Sequence, residues 1–259
     1  MKQLTKSPIQ QAVILAGGRG ERLKPLTDSL PKPLVPVRGI PFLDYLLQSL
    51  VQVGIRKFLL LLGYKSQMIV ERYTSLSKAL GLEIEYSVGA VEDATGRRLL
   101  NAYPLLDEAF LLLYGDNYWP VEWKGMMDLY REKNPKALVT VFGNKDGTSE
   151  YGFENNIKVS RNFMVEQYDK TRSLPELNGV DIGYFIFRKK FVDKNKPGNI
   201  SLEEAMLPQW IANKELMAYV TDTSYYYVTD VASLKKFEIF AQQKNLPYLG
   251  IKRETHVSN

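Results

Sequence analysis

The sequence predicts an α/β fold built on an open, mostly parallel twisted sheet with helices on both faces. Apolar runs of strand length recur at residues 12–15, 57–62, 110–114 and 137–141. Residues 41–53 lie between the first two runs and place leucine and valine at helical spacing. A strand, a helix and a strand in this order form a right-handed βαβ unit, and such units build parallel sheets.

The other elements follow from the same patterns. After the strand at 57–62 the sequence predicts a helix that begins at 67–73, a strand at 82–86 and a loop at 90–98. A short helix at 99–106 and a longer helix at 123–133 follow. The pattern then changes, since residues 157–159 and 164–168 alternate like an antiparallel pair. An amphipathic helix is predicted within residues 225–240. The fold therefore includes a smaller antiparallel portion in its second half.

The composition excludes several classes of site. The chain has 259 residues, no cysteine and one histidine, His256, in a polar tail. Disulfides, cysteine-based zinc sites, thiolate nucleophiles and serine-type triads are therefore not expected. No run of about 18 apolar residues and no apolar signal core occur, so we expect a cytoplasmic protein without a membrane partner.

The charge balance favours phosphorylated substrates. The formal net charge is +5, but the basic residues are dispersed and form no recognised nucleic-acid motif. We therefore expect no nucleic-acid partner. A positive balance suits an enzyme that attracts phosphorylated molecules.

A glycine-rich turn directly follows the first predicted strand. Gly17, Gly18 and Gly20 expose backbone N–H groups that can cradle a polyphosphate, and basic side chains surround them. The P-loop pattern is absent, because no Lys-Ser or Lys-Thr follows at the required spacing. The dinucleotide pattern is also absent, because Leu23 stands where its third glycine belongs and Pro25 interrupts the helix.

The turn resembles the opening signature of the sugar nucleotidyltransferase family, L-A-G-G-x-G-x-R-L followed by P-K-P. The chain has this signature at residues 15–23 and 31–33. The resemblance implies a Rossmann-like fold and an enzyme that converts a nucleoside triphosphate and a sugar 1-phosphate into an NDP-sugar and pyrophosphate. It implies one domain over 1–245, with a nucleotide-binding half at about 10–142, a sugar-phosphate-binding half at about 143–245, and a tail at 246–259.

The resemblance also implies site residues in the first half. Arg22, Lys32 and Asp116 correspond to catalytic residues, and Asp116 also corresponds to the aspartate that holds a catalytic Mg²⁺ ion. The alternative for Asp116 is a simple turn or helix cap. The implied nucleotide-binding residues are Leu15, Ala16, Gly17, Gly18, Arg19, Gly20, Thr95 and Gly96.

The segment that approaches the base in relatives, L-G-T-A-G-A-L, departs from the family pattern here. Thr95 falls in register, but Arg97 replaces the second glycine and Arg98 follows it. These arginines either contact phosphate, stack on the base, or are solvated loop residues.

The second half matches the family less closely. Gly152, Glu166, Lys170 and Asp181 correspond to the residues that bind the sugar phosphate, and Asp181 is equally compatible with a turn cap. The second metal-binding acid of the family falls on Tyr227, which cannot serve. Asp230 is the predicted replacement, with Asp222 as the alternative.

The segment from residue 31 to 64 is most similar to guanylyltransferases that act on heptose or mannose 1-phosphate. GTP with one of these sugars is therefore the favoured substrate pair, in nucleotide-sugar and polysaccharide biosynthesis. A cytidylyltransferase acting on a sugar or other small phosphate is the first alternative. A non-catalytic, nucleotide-sugar-binding regulatory homologue is the second, and the aromatic residues at 225–240 leave room for a homodimer contact.

Overall fold

A computed structural model of the chain describes residues 7–250. Within this range a seven-stranded sheet forms the centre of the molecule. Its strands are β1 (Gln11–Ala16), β4 (Lys57–Leu62), β5 (Glu83–Val88), β6 (Ala109–Tyr114), β8 (Ala137–Phe142), β11 (Val180–Arg188) and β12 (Leu216–Thr221). The spatial order is β12, β8, β11, β6, β1, β4, β5, and β11 runs antiparallel to both of its neighbours. The expected mostly parallel α/β sheet is confirmed.

The remaining strands form three small pairs. These are β2 (Pro36–Val37) with β3 (Ile40–Pro41), β7 (Asn117–Tyr118) with β13 (Tyr226–Tyr227), and β9 (Ile157–Val159) with β10 (Val165–Tyr168). The helices are α1 (Leu26–Ser29), α2 (Phe42–Gln52), α3 (Ser66–Leu80), α4 (Thr95–Asn101), α5 (Trp123–Lys133), α6 (Leu207–Ala212) and α7 (Val231–Gln243). A five-residue π-helix covers Leu202–Met206. The expected antiparallel pair is the β9–β10 hairpin.

Alternate residues of the central strands build a separate core on each face of the sheet. Ile14 and Leu60 point to the face covered by α2, α3, α5 and α7. Val13 and Leu61 point to the other face, where they join Leu99 of α4 together with α6 and the hairpin. A strand buried on both faces reads as a continuous apolar run, which is why the sequence pattern identified these strands.

The structure differs from the sequence prediction at two places, one wrong assignment and one omission. Residues 95–98 were expected in a loop, but α4 begins at Thr95 and ends at Asn101, and a short 3₁₀-helix follows at Tyr103–Leu105. The arginines and glycine at its start gave no helical hydrophobic period, and contacts with the segment 199–203 hold the helix in place. The second error is an omission, since β11 and β12 complete one side of the sheet.

Within residues 7–250, no helix has both the length and the apolar character that crossing a membrane requires. His256 and the end of the predicted tail lie outside the described residues. The parallel strands β1 and β6 end side by side, and the chain leaves each of them through a glycine. Such an edge is where open α/β sheets bind ligands.

Candidate nucleotide site

A cavity of about 490 Å³ opens at the carboxyl ends of β1 and β6. It unites the glycine turn, the P-K-P segment and the end of β6, which are far apart in the sequence. Its lining residues are Leu15, Ala16, Gly17, Gly18, Gly20, Glu21, Arg22, Lys32, Pro33, Val91, Asp93, Ala94, Thr95, Arg98, Tyr114, Gly115, Asp116 and Thr229. Most of the residues predicted for nucleotide binding and catalysis therefore line one cavity.

The glycine turn, residues 17–20, needs its glycines for two different reasons. Gly20 has φ 67°, a left-handed conformation that residues with a side chain rarely adopt. Gly17 has an ordinary conformation, but a methyl group there would lie 2.4 Å from the guanidinium carbon of Arg98. One glycine thus permits the turn, and the other permits close packing of a side chain against it.

Lys32 and Asp116 form an ion pair inside the cavity. The ammonium of Lys32 donates to Oδ2 of Asp116 at 2.7 Å, and the lysine side chain is 14% exposed. Asp116 follows β6 directly, so the strand delivers its carboxylate to the cavity edge. Gly115 allows this course, because a methyl group there would lie 2.7 Å from the carbonyl oxygen of Leu15. Two of the three predicted catalytic residues are therefore in direct contact.

The two arginines of the glycine segment have different positions. Arg22 is exposed, lines the cavity and forms no ion pair within residues 7–250. Arg19 lies outside the cavity lining, and its guanidinium pairs with Glu92 at 3.0 Å on the surface. The same guanidinium lies 5.6 Å from the ring centre of Tyr64. Arg22 is thus available to an anion in the cavity, whereas Arg19 is engaged elsewhere.

The two arginines of α4 also differ. The Arg98 side chain is buried at 5% exposure and donates to backbone carbonyl oxygens. Arg97 faces the opposite way and donates to the carbonyl oxygens of Gly198, from Nε at 2.7 Å, and of Lys196. Neither is a solvated loop residue. Arg97 is bound away from the cavity, and so the proposal that it contacts phosphate or base was wrong.

Glu203 connects two parts of the cavity and was not found from the sequence. It lies in the π-helix, where Thr95 donates to its Oε2 at 2.8 Å and the hydroxyl of Tyr114 donates to its Oε1. Thr95 in turn accepts from the backbone N–H of Leu202 at 2.8 Å. Gly96, which follows Thr95 in the sequence, is buried against the backbone of Ile200 and does not line the cavity. No motif surrounds Glu203, so only the fold reveals it.

The residues predicted for the sugar phosphate do not line this cavity. Lys170 is exposed and pairs with Glu204 at 3.1 Å, while Glu166 lies on the outer hairpin 3.7 Å from Lys158. Gly152 lies in a loop with φ 61°, and its carbonyl oxygen accepts hydrogen bonds from the side chains of Asn144 and Ser149. Their role in binding a sugar phosphate stays a prediction.

Asp181 lies at the start of β11 and is 5% exposed. Its Oδ1 accepts from the backbone N–H of Gly183 at 2.8 Å, so it does form the turn contact that the sequence allowed. Burial, opposed by the hydrogen bond from Gly183 and supported by the nearby carboxylate of Glu203, raises the pKa of its carboxyl to about 7. A group in this state exchanges a proton near neutral pH.

Of the predicted metal ligands, Asp230 and Asp222 have protein partners of their own. Within residues 7–250, no group of three acidic or histidine side chains could hold a metal by itself. Asp230 caps α7, where its Oδ1 accepts from the backbone N–H of Ser233 at 2.8 Å, and Asp222 pairs with Lys145 at 3.0 Å. Tyr227 donates its hydroxyl to the carbonyl oxygen of Asp181. Asp116 remains the predicted ligand that faces the cavity, and a role of Asp230 at a metal stays a prediction.

A second cavity of about 330 Å³ adjoins this region, beside the start of α7. It is lined by Thr148, Ser149, Glu150, Tyr225, Tyr226, Tyr227, Asp230, Ala232, Ser233 and Lys236. Thr229 lies against both cavities, because it lines the first and donates to Glu150 at 3.2 Å. Burial and the carboxylates of Asp230 and Asp116 raise the pKa of Glu150, and Arg22 lowers it. The fold thus brings an unpredicted acid near the catalytic candidates.

Comparison with known proteins gives a family match over most of the chain. The family model described as nucleotidyl transferase matches residues 11–240. Mannose-1-phosphate guanylyltransferase from Mycobacterium tuberculosis is 29% identical over 218 residues, which cover 83% of this chain. The chain spans only 59% of the length of that relative. A probable glucose-1-phosphate cytidylyltransferase from Bacillus subtilis is 30% identical over 81% of this chain and 87% of its own length.

Solved structures show the same fold at low sequence identity. The inositol-1-phosphate CTP transferase from T. maritima is similar with a TM-score of 0.77 and 20% identity, over 91% of this chain and 96% of its own. HddC from Yersinia pseudotuberculosis, in complex with GMP-PN, is similar with a TM-score of 0.72 and 22% identity, over 88% of this chain and 97% of its own. The fold therefore agrees over nearly the whole length of these structures.

Proposed function

Because the chain belongs to the nucleotidyl transferase family, we propose that it transfers a nucleotidyl group from a nucleoside triphosphate to a sugar 1-phosphate and releases pyrophosphate. The observation that carries this proposal is the cavity in which the glycine turn, Arg22, Lys32 and Asp116 meet. A glycine turn and two cations are suited to a polyphosphate, and a carboxylate among them is suited to a phosphate-bound metal ion.

The chemistry requires few special groups. An oxygen of the sugar phosphate attacks the α-phosphorus, a new P–O bond forms, and the bond to the β-phosphate oxygen breaks with its electrons on pyrophosphate. The phosphate monoester is already a nucleophile, so no side chain has to remove a proton from it. This fits a chain with no cysteine and one histidine. The barrier is electrostatic, since two anions approach and a third leaves.

The charged residues of the cavity can lower this electrostatic barrier. Arg22 lines the cavity and has no ion-pair partner within residues 7–250, so we expect it to stabilise charge on the departing pyrophosphate. We expect Lys32 to contact the α-phosphate once its contact with Asp116 is exchanged for the substrate. Mg²⁺ held by Asp116 and the substrate phosphates would supply further neutralisation of charge, and such an ion needs only one or two protein carboxylates.

We propose GTP as the nucleotide and heptose or mannose 1-phosphate as the sugar. Support comes from the segment 31–64 and from relatives named guanylyltransferases. A cytidylyltransferase activity on a sugar or other small phosphate is the alternative, and the Bacillus subtilis relative favours it. The test is pyrophosphate release from the purified protein with each of the four NTPs, a panel of sugar 1-phosphates and Mg²⁺. Turnover with GTP and no other NTP supports the first assignment, and turnover with CTP supports the second.

A non-catalytic nucleotide-sugar-binding role rests on two observations, the tyrosine at position 227 where the family has its second acid and the arginines at positions 97 and 98 in the segment that approaches the base in relatives. The same assay separates the two functions, because a binding protein releases no pyrophosphate from any pair of substrates. Nucleotide-sugar binding measured by calorimetry without any turnover would establish the binding role. The contact between Lys32 and Asp116 in the cavity favours the enzyme.

A further inference from the structure

Arg98 joins three chain segments that surround the nucleotide cavity. Its Nη1 donates to the carbonyl oxygen of Leu62 at 2.7 Å, at the end of β4. Its Nη2 donates to the carbonyl oxygens of Ala90 at 2.9 Å and Val91 at 3.0 Å, in the loop 89–94, and more weakly to that of Gly17 at 3.3 Å. The glycine turn and the loop 89–94 both contribute residues to the cavity lining. One side chain therefore fixes their separation.

The Arg98 guanidinium packs directly against Gly17 and Gly63, where a side chain would collide with it. A methyl group at Gly63 would lie 2.7 Å from Nη1 and Nη2, and one at Gly17 would lie 2.4 Å from Nη1. A Cβ atom essentially never lies this close to another heavy atom, so a larger residue at either position would displace the guanidinium, and at Gly63 it would also collide with the carbonyl oxygen of Gly17 at 2.6 Å. The small residues here leave room for an arginine behind the turn as well as for a ligand in front of it.

The positive charge of Arg98 has no carboxylate partner within residues 7–250. Asp93 accepts from two neutral groups, the backbone N–H of Ala90 and the Asn101 amide, while Glu92 pairs with Arg19. Burial lowers the pKa of Arg98 and the carboxylates of Asp93 and Glu92 raise it, and arginine remains charged at any pH at which the protein is folded. Carbonyl dipoles satisfy its hydrogen bonds without neutralising its charge, and the two carboxylates offset that charge without forming an ion pair with it, so an anion in the cavity can still be attracted to it.

We infer that Arg98 is a positioning residue of the nucleotide site, which holds the glycine turn and the loop 89–94 in place and attracts the triphosphate with its buried charge. This inference rests on the proposed function and adds a residue to it. It concerns binding of the nucleotide rather than the transfer step, because Arg98 lines the cavity but its guanidinium already donates to backbone carbonyl oxygens. The sugar phosphate is expected to be indifferent to it.

The experiment compares Arg98→Met, Arg98→Lys and the neighbouring control Arg97→Met. Arg97 is the matched control, because it is also an arginine of α4 that donates to carbonyl oxygens, but it does so away from the cavity. Dissociation constants for each NTP and for mannose 1-phosphate are measured by calorimetry, with kcat and KM for both substrates. Thermal unfolding of each variant reports whether it is folded.

For Arg98→Met we expect the dissociation constant of the nucleotide to rise about 10- to 100-fold, with that of the sugar phosphate unchanged. The KM for the nucleotide should rise more than kcat falls. Lysine keeps the charge but cannot bridge the three segments, so Arg98→Lys should weaken nucleotide binding about fivefold. Arg97→Met should bind both substrates as the wild type does.

A folded Arg98→Met with wild-type nucleotide affinity would overturn the inference, as would an equal loss of affinity for both substrates. If Arg98→Met does not fold, Arg98→Lys decides, and unchanged nucleotide binding in that variant overturns the inference. If the proposed function itself is wrong, the result is different, because the wild-type protein would then neither bind a nucleotide nor turn it over.

Discussion

The ammonium of Lys32 lies 2.7 Å from Oδ2 of Asp116, and the two residues come from segments 84 positions apart. An ammonium in this position neutralises a carboxylate whose predicted partner is a metal ion. With a metal–nucleotide complex bound, Asp116 would hold the metal ion and Lys32 would contact the phosphates, and the ion would supply neutralisation of their charge. While the cavity holds no substrate, Lys32 and Asp116 therefore neutralise each other and both charges remain at the site.

We predict that Asp116→Ala and Lys32→Ala each lower kcat/KM by at least about 10²-fold, because each removes a group aimed at charge that develops during transfer. A chain-internal control is available. Lys57 and Asp107 also pair at 2.7 Å, but at the opposite ends of the strands. Lys57→Ala and Asp107→Ala should leave pyrophosphate release within about threefold of the wild type, since surface pairs contribute at most modest stability. Near-normal turnover of either cavity variant would contradict the proposed roles.

Arg22 and Arg19 provide a second contrast. Only Arg22 lines the cavity, and Arg19 is held by Glu92. We expect Arg22→Ala to lose about 10²-fold in kcat and Arg19→Ala to lose less than about threefold. Arg22→Lys should recover part of the activity, because it keeps the charge but loses the planar fork. An Arg19→Ala variant as impaired as Arg22→Ala would restore Arg19 to the nucleotide-binding set that the sequence predicted.

The part of the site that could be predicted from the sequence is the part built from contiguous signals. The glycine turn, Arg22 and Lys32 occur in one segment, and Asp116 follows an obvious buried strand. These residues line one cavity in the structure. In the fold, the same kind of signal identified β1, β4, β6 and β8, whose apolar runs are continuous because both faces are buried.

What could not be predicted depends on contacts between distant segments. Glu203 accepts hydrogen bonds from Thr95 and Tyr114, which precede it by 108 and 89 positions, and no local sequence pattern identifies it. Arg98 falls in a segment that looks like a polar loop, yet its side chain is buried among carbonyl groups. Hydrophobic periodicity carries no information about polar groups satisfied by backbone atoms, and so these two residues required the fold.

Asp230 can be tested for its two roles separately. Its capping contact with Ser233 predicts that Asp230→Ala lowers the free energy of unfolding by about 1 kcal/mol, and that Asp230→Ser restores it. Serine caps a helix but is a poor metal ligand. Because the structure places the carboxylate at the cap, we expect Asp230→Ser to need no more Mg²⁺ than the wild type for half-maximal activity. A raised Mg²⁺ requirement in this stable variant would show that Asp230 is the second ligand.

The buried carboxyl of Asp181 predicts a distinctive dependence of stability on pH. Burial raises its pKa to about 7, above the ordinary value of 3.8 that applies in the unfolded chain. Between these two values the unfolded chain binds fewer protons than the folded one, so stability falls as pH rises from about 4 to 7 and then levels off. The difference between these two pKa values corresponds to roughly 4 kcal/mol of stability at most. Asp181→Asn removes this pH dependence, because an amide does not titrate and its oxygen can still accept from Gly183.

Chemical unfolding at several pH values from 4 to 8 measures this difference. We expect Asp181→Asn to match the wild type near pH 4 and to exceed its free energy of unfolding near pH 8. Asp169 gives the opposite control, since hydrogen bonds from Thr171, and from the backbone N–H groups of Leu174 and Ser173, hold its pKa far below the ordinary value. Asp169→Asn should therefore be less stable than the wild type at neutral pH and approach it in acid. Parallel pH curves for Asp181→Asn and the wild type would show that the Asp181 carboxyl titrates normally and is open to solvent.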